Sequence, residues 1–395
     1  MFHLKPIYIN GLGLCNPLGT SAEEVAKNLF AGSQAGMVER TDLLNHGNIY
    51  VGQVSATLPD LSHFPKHFQS RNNQLALMAY QQIESIVDDL KAEYSAHRIG
   101  VILGSSTSGI AQGEEAMLYR VEQGNFPDSY DYQVQELSNP AEFISEYAGI
   151  QGYVSVISTA CSSSAKTFIT AAEMIHAGLL DAVIVGGVDS LCGMTVNGFS
   201  ALESTSSAIC NPSSVNRDGI NIGEAAALAV VSGKKSAIKL CGGGESSDAH
   251  HMSAPHPEGQ GAMVAMQQAI NNAGLSADNI DYINLHGTAT PKNDEMEAIA
   301  VSSIFTDKPY VSSTKGYTGH TLGAAGATEI AFCYLALQQQ KMPEHLWDGA
   351  EDPAMPTLNW VSKRSNLTKR LRYCLSNSFA FGGNNVSLVI GLSDE

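Results

Sequence analysis

The chain has 395 residues, of which 44% are hydrophobic and 15% are charged, and its formal net charge is -17 at pH 7. This length and composition predict a large buried core, formed either by two domains or by one body with an internal duplication. The negative charge argues against binding to nucleic acid or to an anionic membrane surface, because both require basic surfaces. Any acidic partner must therefore meet a local basic patch.

Membrane and secretion signals are missing from the sequence. No stretch approaches 18 uninterrupted apolar residues, and residues 1–6 lack the apolar run of a signal peptide. The seven cysteines are odd in number and include no C-x-x-C pair, which disfavours a disulfide framework and a structural zinc site. These features predict a cytoplasmic protein with no membrane association.

The predicted elements alternate between strands and helices. In chain order they are a strand at 7–13, a helix at 21–30, a long helix at 71–94, strands at 99–103 and 154–158, a helix at about 162–177, strands at 181–187 and 225–231, a helix at 262–273, strands at 280–285 and from 311, a helix from about 322 and a strand at 371–375. Apolar strands separated by helices predict a mixed or parallel α/β sheet that is covered on both faces.

Two segments share one plan of strand, turn and helix. Residues 154–178 predict a strand, the turn Ser-Thr-Ala-Cys and a helix, and residues 311–337 predict a strand, Ser-Thr-Lys, a glycine turn and a helix. A repeated plan indicates an internal duplication, which would form an α/β core in five layers. We place the divide so that residues 1–234 form the N-terminal half and residues 235–395 the C-terminal half.

Cys161 lies where a buried strand gives way abruptly to a helix of small residues. A thiol at a helix N-terminus lies beside unpaired backbone N–H groups at the positive end of the helix dipole, which stabilise a thiolate and an oxyanion. Most cysteines in such a place are structural, and the other six are interpreted as small buried hydrophobes. Cys161 is a candidate nucleophile because other segments offer it catalytic partners.

Those partners are His286, in the run His-Gly-Thr-Ala-Thr, and Lys315 with His320, in the run Lys-Gly-Tyr-Thr-Gly-His. Taken alone, each has an ordinary interpretation as a strand cap, a solvated lysine or the first residue of a helix. A dinucleotide-binding loop is excluded because no G-x-G-x-x-G opens a helix after the first strand, and no cofactor is predicted.

Four motifs occur in order along the chain: Thr-Ala-Cys-Ser-Ser at 159–163, His-Gly-Thr-Ala-Thr-Pro at 286–291, Lys-Gly-Tyr-Thr-Gly-His at 315–320 followed by Gly-Ala-Ala-Gly at 323–326, and Phe-Gly-Gly-Asn-Asn at 381–385. In order and spacing they resemble the β-ketoacyl-[acyl carrier protein] synthases of the thiolase superfamily, over essentially the whole chain. Four motifs together are far more specific than one. The resemblance implies a thiolase-like duplicated α-β-α-β-α fold.

The resemblance also implies covalent catalysis in two steps. Cys161 would hold an acyl group as a thioester, and a malonyl thioester would lose carbon dioxide and attack that group. His286 and His320 match the family's histidines that stabilise the enolate oxygen. The backbone N–H groups of Cys161 and Phe381 would form the oxyanion hole for the acyl carbonyl.

Further family positions carry supporting roles. Lys315 would orient the site electrostatically, in an ion pair with Glu329. The substrate-contacting positions of the family fall on Thr288, Thr290, Ser253, Phe379 and Phe381.

The loop at 246–258 contains potential metal ligands, namely His250, His251, His256, Asp248 and Glu258. Their spacing fits no ordinary zinc pattern, and the segment is rich in Ser, Gly and Pro. The stretch 246–253 instead resembles the family loop beside the pantetheine channel, so no metal is predicted.

Two residues depart from the family pattern. Ala380 stands where the family usually has glycine, and Asn384 stands where it usually has threonine. A Cβ at position 380 narrows the allowed backbone conformations, which predicts a stiffer gating loop. These departures favour a specialised pathway, such as that of synthases resembling aryl-polyene or polyketide ketosynthases, over housekeeping fatty-acid elongation.

The resemblance implies an acyl carrier protein partner that bears acyl and malonyl phosphopantetheine. It also implies either a homodimer or a heterodimer with a chain-length-factor-like subunit. Because carriers are acidic, Lys66 and Arg71 are the predicted docking cations. Two alternatives stay open: a coenzyme A-dependent thiolase, which would need a second reactive cysteine in a C-terminal loop, and a non-catalytic partner subunit, which typically lacks the nucleophile.

Overall fold

The fold is described by a computed structural model that covers residues 5–365, 367 and 369–393. Residues 1–4, which belong to the segment predicted to lack a signal peptide, lie outside the described residues. The strands are β1 (Ile7–Cys15), β2 (Met37–Arg40), β3 (Ile49–Gly52), β4 (Ile99–Gly104), β5 (Val154–Ile157), β6 (Ala182–Asp189), β7 (Ile222–Gly223), β8 (Ala225–Ser232), β9 (Ile238–Ser247), β10 (Tyr282–Leu285), β11 (Tyr310–Ser313), β12 (Asn359–Trp360), β13 (Tyr373–Phe379) and β14 (Asn384–Leu392).

The helices alternate with these strands as the sequence predicts. They are α1 (Ala22–Phe30), α2 (Arg71–Tyr80), α3 (Glu84–Tyr94), α4 (Ile110–Gln123), α5 (Asn139–Ala148), α6 (Ser163–His176), α7 (Gly193–Ala201), α8 (Gln260–Asn272), α9 (Pro291–Ile304), α10 (Lys315–Thr318) and α11 (Ala325–Gln339). No helix within the described ranges is both long and apolar enough to cross a bilayer.

Two sets of five strands share one arrangement. In the first set β1, β8 and β6 are antiparallel neighbours, while β6, β4 and β5 are parallel neighbours. In the second set β9, β14 and β13 are antiparallel, while β13, β10 and β11 are parallel. The sets join where residues 7–9 of β1 pair with residues 238–240 of β9. The predicted duplicated α/β core is confirmed.

Three apolar clusters separate the layers of this core. The central cluster buries α6 and α11 between the two sets of strands. A second cluster packs α2, α3 and α5 on the outer face of the first set, and a third packs α8 and α9 on the outer face of the second. In β6, Val183 and Val185 belong to the central cluster and Ile184 to the outer one, as the strand period of two requires. This order confirms the predicted five α-β-α-β-α layers.

The predicted divide after residue 234 falls in the connection between β8 and β9. The boundary between the two halves remains a prediction from the repeated strand-turn-helix pattern. The strand Tyr373–Phe379 contains Cys374, as predicted, while β9 continues to Ser247 and so enters the segment predicted to be a loop.

The prediction of one long helix at 71–94 is wrong, because a turn at 81–83 separates α2 from α3. Oε1 of Gln82 accepts the N–H of Leu14 at 3.1 Å, and its Nε2 donates to the carbonyls of Leu14 at 2.8 Å and Thr20 at 3.0 Å. These contacts bind the turn to the end of β1. Tertiary hydrogen bonds thus override a local sequence that contains no Gly or Pro to mark the break.

Candidate active site

Cys161 lies in the sharp turn between β5 and α6. Ala160 has a φ of 51°, in the left-handed region that non-glycine residues rarely adopt. Two hydroxyls hold the turn: Oγ of Ser162 donates to the Thr159 carbonyl at 2.8 Å, and Oγ of Ser163 donates to the Ala160 carbonyl at 2.5 Å. The chain therefore presents the thiol immediately before the first turn of α6, where the side chain is 6% exposed.

Two imidazoles from the second half of the fold meet this thiol. Sγ of Cys161 lies 2.9 Å from Nε2 of His320, which follows α10. His286 directly follows β10, and its ring centroid lies 5.3 Å from that of His320 with the planes at 86°. The structure thus brings together the predicted nucleophile and both predicted histidines, all three of them buried.

Lys315 and Glu329 form a buried ion pair beside the two histidines. Nζ of Lys315 also donates to the backbone carbonyl of His286 at 2.8 Å. Burial raises the pKa of Glu329 to about 7, and the ammonium of Lys315 opposes that rise. The expected partners are therefore in contact, and each makes the burial of the other tolerable.

Burial also sets the protonation of the reacting groups. It holds the pKa of both His286 and His320 well below the usual value, and the ammonium of Lys315 adds to the effect. Both rings are thus neutral near pH 7, and each carries one N–H donor. Burial raises the pKa of the Cys161 thiol to about 11, although Lys315 and the backbone N–H of Phe381 lower it. Burial therefore outweighs the stabilisation of the thiolate that was expected from the N-terminus of α6. The thiol needs a base to remove its proton, and Nε2 of His320 is within reach.

Phe381 lies in the turn between β13 and β14. Gly382 and Gly383, with φ values of 85° and 80°, adopt the left-handed conformations that close this turn. The backbone N–H of Phe381 donates toward the sulfur of Cys161. The ring of Phe381 packs against that of Phe199, with centroids 5.5 Å apart. The N–H of Phe381 thus faces Cys161, while the expected oxyanion hole remains a prediction.

A cavity of about 290 Å³ opens onto Cys161. Its lining includes the five predicted substrate contacts, Thr288, Thr290, Ser253, Phe379 and Phe381. The hydroxyl oxygens of Thr288 and Thr290 lie 2.9 Å apart, and the ring of Phe379 packs edge-on against His286 with centroids 6.2 Å apart. One cavity therefore joins the nucleophile, the imidazoles and the predicted contacts.

Two family models together account for most of the chain. Residues 4–237 match the model of the β-ketoacyl synthase N-terminal domain, and residues 238–347 match that of the C-terminal domain. The chain belongs to the β-ketoacyl synthase family.

Individual relatives agree with this family. The synthase is 30% identical to 3-oxoacyl-[acyl-carrier-protein] synthase 2 of Vibrio cholerae, over 98% of both chains. Its structure is similar to that of the ketosynthase ApeO in complex with its chain length factor ApeC from Xenorhabdus doucetiae, with a TM-score of 0.95 and 43% identity over 100% of this chain and 99% of that one. A β-ketoacyl synthase from Burkholderia phymatum has a TM-score of 0.87 and 27% identity over 99% of this chain and 100% of its own. The protein is a condensing enzyme of the acyltransferase type, and a thiolase is not favoured.

Two acidic residues that position the catalytic turns were missed at the level of sequence. The carboxylate of Glu297 accepts the backbone N–H groups of His286 and Gly287, each at 2.8 Å. Asp189 accepts the backbone N–H of Ala324 at 3.1 Å, close to the turn that carries the second histidine. Asp189 ends a buried strand, and polar residues at the carboxyl ends of strands are the signal that could have identified it.

The mouth of the cavity includes residues that were not predicted as substrate contacts. The N–H of Asp248 donates to the Gly383 carbonyl at 2.8 Å, and its carboxylate accepts from Nδ2 of Asn385 at 2.7 Å. These bonds couple the loop after β9 to the turn that carries Phe381. Among the described residues that line the cavity, Lys292 is the exposed cation.

The described residues that line the cavity do not include the two predicted docking cations. The guanidinium of Arg71 pairs with the buried carboxylate of Glu224 at 2.6 Å and donates to the Val54 carbonyl at 2.9 Å. Glu224 neutralises the guanidinium, which disfavours Arg71 as a docking cation, although the docking role of both residues remains a prediction. Lys66 is exposed, and its Nζ donates to the Asp128 carbonyl at 2.7 Å.

Ligand atoms of Cys161, His286 and His320 all lie within 4.8 Å of one another, so these residues could hold a metal ion. The adjacent ammonium of Lys315 disfavours a divalent cation there, because like charges repel strongly in a buried site. The surroundings of these three residues therefore do not favour a metal centre.

The histidine-rich loop beside the mouth uses its ring nitrogens in local bonds. Nδ1 of His251 accepts the N–H groups of Ser253 and Ala254 at 3.1 and 3.2 Å, and Nδ1 of His256 accepts the N–H of Glu258 at 3.3 Å. These contacts shape the loop that brings Ser253 to the cavity.

Proposed function

We propose that this synthase condenses an acyl group, held on Cys161, with a malonyl thioester carried by an acyl carrier protein, releasing carbon dioxide. The observation that carries the proposal is the contact of 2.9 Å between Sγ of Cys161 and Nε2 of His320 inside a cavity that also holds His286. A nucleophile with a base in reach and a second imidazole beside it suits acyl transfer followed by decarboxylation.

The first half-reaction moves the acyl group to the enzyme. The thiol proton of Cys161 passes to Nε2 of His320 as sulfur attacks the thioester carbonyl. The backbone N–H groups of Cys161 and Phe381 stabilise the tetrahedral oxyanion. The carbon–sulfur bond to the carrier then breaks, and the carrier leaves as a thiol with the proton. The product is an acyl-cysteine.

The second half-reaction forms the carbon–carbon bond. The malonyl carboxylate leaves as carbon dioxide, and its bonding electrons form an enolate whose oxygen accepts N–H bonds from His286 and His320. Their lowered pKa values keep both rings neutral, so each carries one proton. Because Nε2 of His320 is bare when it accepts the thiol proton in the first half-reaction, this ring must move its own proton from Nδ1 to Nε2 before it donates to the enolate. The enolate carbon attacks the acyl-cysteine, and the bond to Sγ of Cys161 breaks as sulfur leaves as a thiolate. The 3-oxoacyl thioester leaves on the carrier, and the thiolate takes up a proton from solvent to restore the thiol.

Lys315 and the threonine pair prepare this second step. The bond from Nζ of Lys315 to the carbonyl of His286 and its ion pair with Glu329 hold the imidazole in place. We assign the hydroxyls of Thr288 and Thr290, which line the cavity 2.9 Å apart, to the malonyl or pantetheine portion of the substrate. Ser253 and Phe379 line the same cavity and complete the proposed contacts.

The carrier must approach a chain whose net charge is -17. We propose Lys66 as the docking cation, since it is exposed and is not paired with a described carboxylate. Lys292, at the cavity mouth, supplies a second exposed positive charge. Charge complementarity of this kind acts mainly on the rate of encounter.

We also propose that the synthase pairs with a chain-length-factor-like subunit. The ApeO ketosynthase, 43% identical, occurs in complex with its chain length factor. In this chain β5 ends the sheet of the described residues, and α4 exposes Met117, Leu118 and Val121 by 50%, 65% and 79%. An unpaired strand and an apolar helix face are typical of a protein interface. Co-expression should give a stable pair, and a Leu118→Glu, Val121→Glu variant that still elutes at the mass of the pair would oppose this interface.

The pathway and compartment are also proposals. The departures at Ala380 and Asn384, together with the likeness to a ketosynthase found with a chain length factor, support a specialised aryl-polyene or polyketide-type pathway. A nucleophilic thiol and six further free cysteines suit the reducing cytoplasm.

Intact-mass analysis tests the proposed function. The protein is incubated with a panel of acyl carrier thioesters and then with malonyl carrier. We expect one acyl adduct per chain on Cys161, followed by its loss and the appearance of a 3-oxoacyl carrier. A protein that never acquires the adduct would contradict the proposal.

A further inference from the structure

His345 lies outside the cavity and is 3% exposed. Its Nδ1 accepts the backbone N–H of Ser313 at 3.0 Å, and its Nε2 lies 3.0 Å from the carbonyl oxygen of Pro212. The ring stacks on that of Trp360 with centroids 4.3 Å apart and an interplanar angle of 22°. A buried imidazole thus bridges the end of β11 to the chain at residue 212.

The two partners fix the tautomer of this ring. A backbone N–H can only donate and the Pro212 carbonyl can only accept, so Nδ1 must be bare and Nε2 must carry the proton. A second proton would place two donors face to face at Ser313. Burial lowers the pKa of His345 to about 4, which keeps the ring in the required neutral form near pH 7.

Ser313 connects this imidazole to both catalytic turns. Its Oγ donates to the Gly287 carbonyl at 2.6 Å and accepts the backbone N–H of Lys315 at 3.2 Å. Gly287 immediately follows His286, whose own carbonyl accepts from Nζ of Lys315. A shift of Ser313 would therefore move the ammonium and the imidazole together.

The other end of the bridge is anchored as well. Ser213, next to Pro212, donates its N–H to the carboxylate of Asp294 at 2.7 Å, and that carboxylate accepts the N–H of Ala289 at 3.2 Å. Ala289 lies between the two threonines of the cavity. His345 thus closes a ring of hydrogen bonds that runs from the Lys315 turn to the Thr288 loop.

We infer that His345 is a positioning residue for the decarboxylation step: its neutral imidazole holds Ser313 and thereby sets the placement of Lys315 and His286. The inference deepens the proposed function and rests on it. An apolar side chain of similar bulk would fill the space against Trp360, but it would leave the Ser313 N–H and the Pro212 carbonyl unpaired. The two directional bonds, and not the bulk of the ring, carry the inferred role.

The test compares His345→Leu, which removes both bonds, with His345→Gln, whose amide offers one acceptor and one donor. The matched control is Tyr282→Phe. It removes the buried hydrogen bond of 2.7 Å between the Tyr282 hydroxyl and Oγ of Ser312, which precedes Ser313 in β11. Thermal midpoint, acyl loading on Cys161 by intact mass, and carbon dioxide release from malonyl carrier are measured for each variant.

We expect His345→Leu to lower kcat for carbon dioxide release by about 10-fold or more, because small misplacements of catalytic groups are costly, with acyl loading changed by less than about 3-fold. His345→Gln should recover release to within about 3-fold of wild type, and Tyr282→Phe should lower the thermal midpoint without a selective loss of release. If His345→Leu does not fold, His345→Asn takes its place, and it should release less carbon dioxide than His345→Gln.

Unchanged release in His345→Leu would overturn the inference. A His345→Gln variant that releases carbon dioxide no faster than His345→Leu would also overturn it. The same holds if acyl loading and carbon dioxide release both fall in proportion to the decrease in thermal midpoint. A wild-type protein that releases no carbon dioxide would overturn the proposed function itself, and the inference with it. Measuring the wild-type protein alone distinguishes that outcome from a failure of the inference about His345.

Discussion

Sγ of Cys161 lies 2.9 Å from Nε2 of His320, although the two residues belong to opposite halves of the duplicated fold. The helices that follow their turns pack closely against each other. A Cβ placed on Gly326 of α11 would lie 2.6 Å from the Cβ of Ala165 in α6, so only glycine permits this approach. The contact between nucleophile and base thus depends on the packing of the central layer.

The two histidines should separate the half-reactions. Of the two histidines, His320 is the one with a hydrogen bond to the sulfur among the described contacts, so His286→Ala should still load acyl groups on Cys161. Its carbon dioxide release should fall by about 10²-fold or more, as for the loss of an oxyanion donor. Single-turnover loading by intact mass and carbon dioxide release measure the two steps. Unchanged release in His286→Ala would refute its role.

The Lys315–Glu329 pair should affect stability and catalysis differently. Lys315→Met leaves a buried carboxylate without its partner, which should lower the free energy of unfolding by about 3 kcal/mol. The double variant Lys315→Met, Glu329→Gln removes both charges and should recover most of that loss in denaturant titrations. Its carbon dioxide release should stay low, and a double variant with wild-type turnover would show that the pair is only structural.

Lys66 and Arg71 should respond differently to charge reversal. Lys66→Glu should raise KM for carrier-bound substrates and flatten its salt dependence, because attraction between exposed charges is screened within about 10 Å at 0.1 M salt. Small pantetheine thioesters should react as before. Arg71→Glu places a carboxylate against the buried Glu224 and should instead lower the thermal midpoint.

If Lys66→Glu lowers the activity on carrier-bound and carrier-free thioesters equally, that result would contradict carrier docking at this residue. An Arg71→Glu protein with a wild-type thermal midpoint would contradict the structural role of the Arg71–Glu224 pair.

The buried histidines should stabilise the folded protein less as the pH is lowered. Burial lowers the pKa of His286, His320 and His345, whereas unfolding restores values near 6.5. At these three residues the unfolded chain binds protons that the folded chain does not, so their contribution to the unfolding free energy is largest above about pH 7 and falls as the pH drops toward 4. Glu297 and Glu329, whose pKa values burial raises to about 7, contribute with the opposite sign, so the fall due to the histidines is read from the difference between wild type and a histidine variant. His345 should account for about 3 kcal/mol of this fall. Denaturant titrations at pH 7, 6 and 5 should show a shallower decline in His345→Gln, and parallel declines would contradict the assignment.

Local sequence was enough to predict the turn that holds the nucleophile. The buried strand before Cys161 and the small residues after it leave few alternatives to a strand-turn-helix unit. The sequence repeat likewise predicted the two matching sets of strands, because each half must bury the same kind of layers.

Other features depend on contacts between distant segments. The break before α3 is held by Gln82 against the end of β1, and the neutralisation of Arg71 comes from Glu224, 153 residues away. His345 lies in a segment without a regular pattern, and its partner Ser313 is 32 residues away. No local signal marks such residues, since their role exists only once the chain has folded.

Acyl transfer to Cys161 is the central claim, and trapping the acyl-enzyme tests it most directly. Wild type and Cys161→Ala are each mixed with an acyl carrier thioester, quenched in acid, digested and mapped by mass spectrometry, with circular dichroism to show that both are folded. The account predicts one acyl group on the peptide containing Cys161 in wild type and none in Cys161→Ala, which should also form no 3-oxoacyl product. Acyl mass on another of the seven cysteines at an equal rate, or condensation that survives in Cys161→Ala, would contradict it.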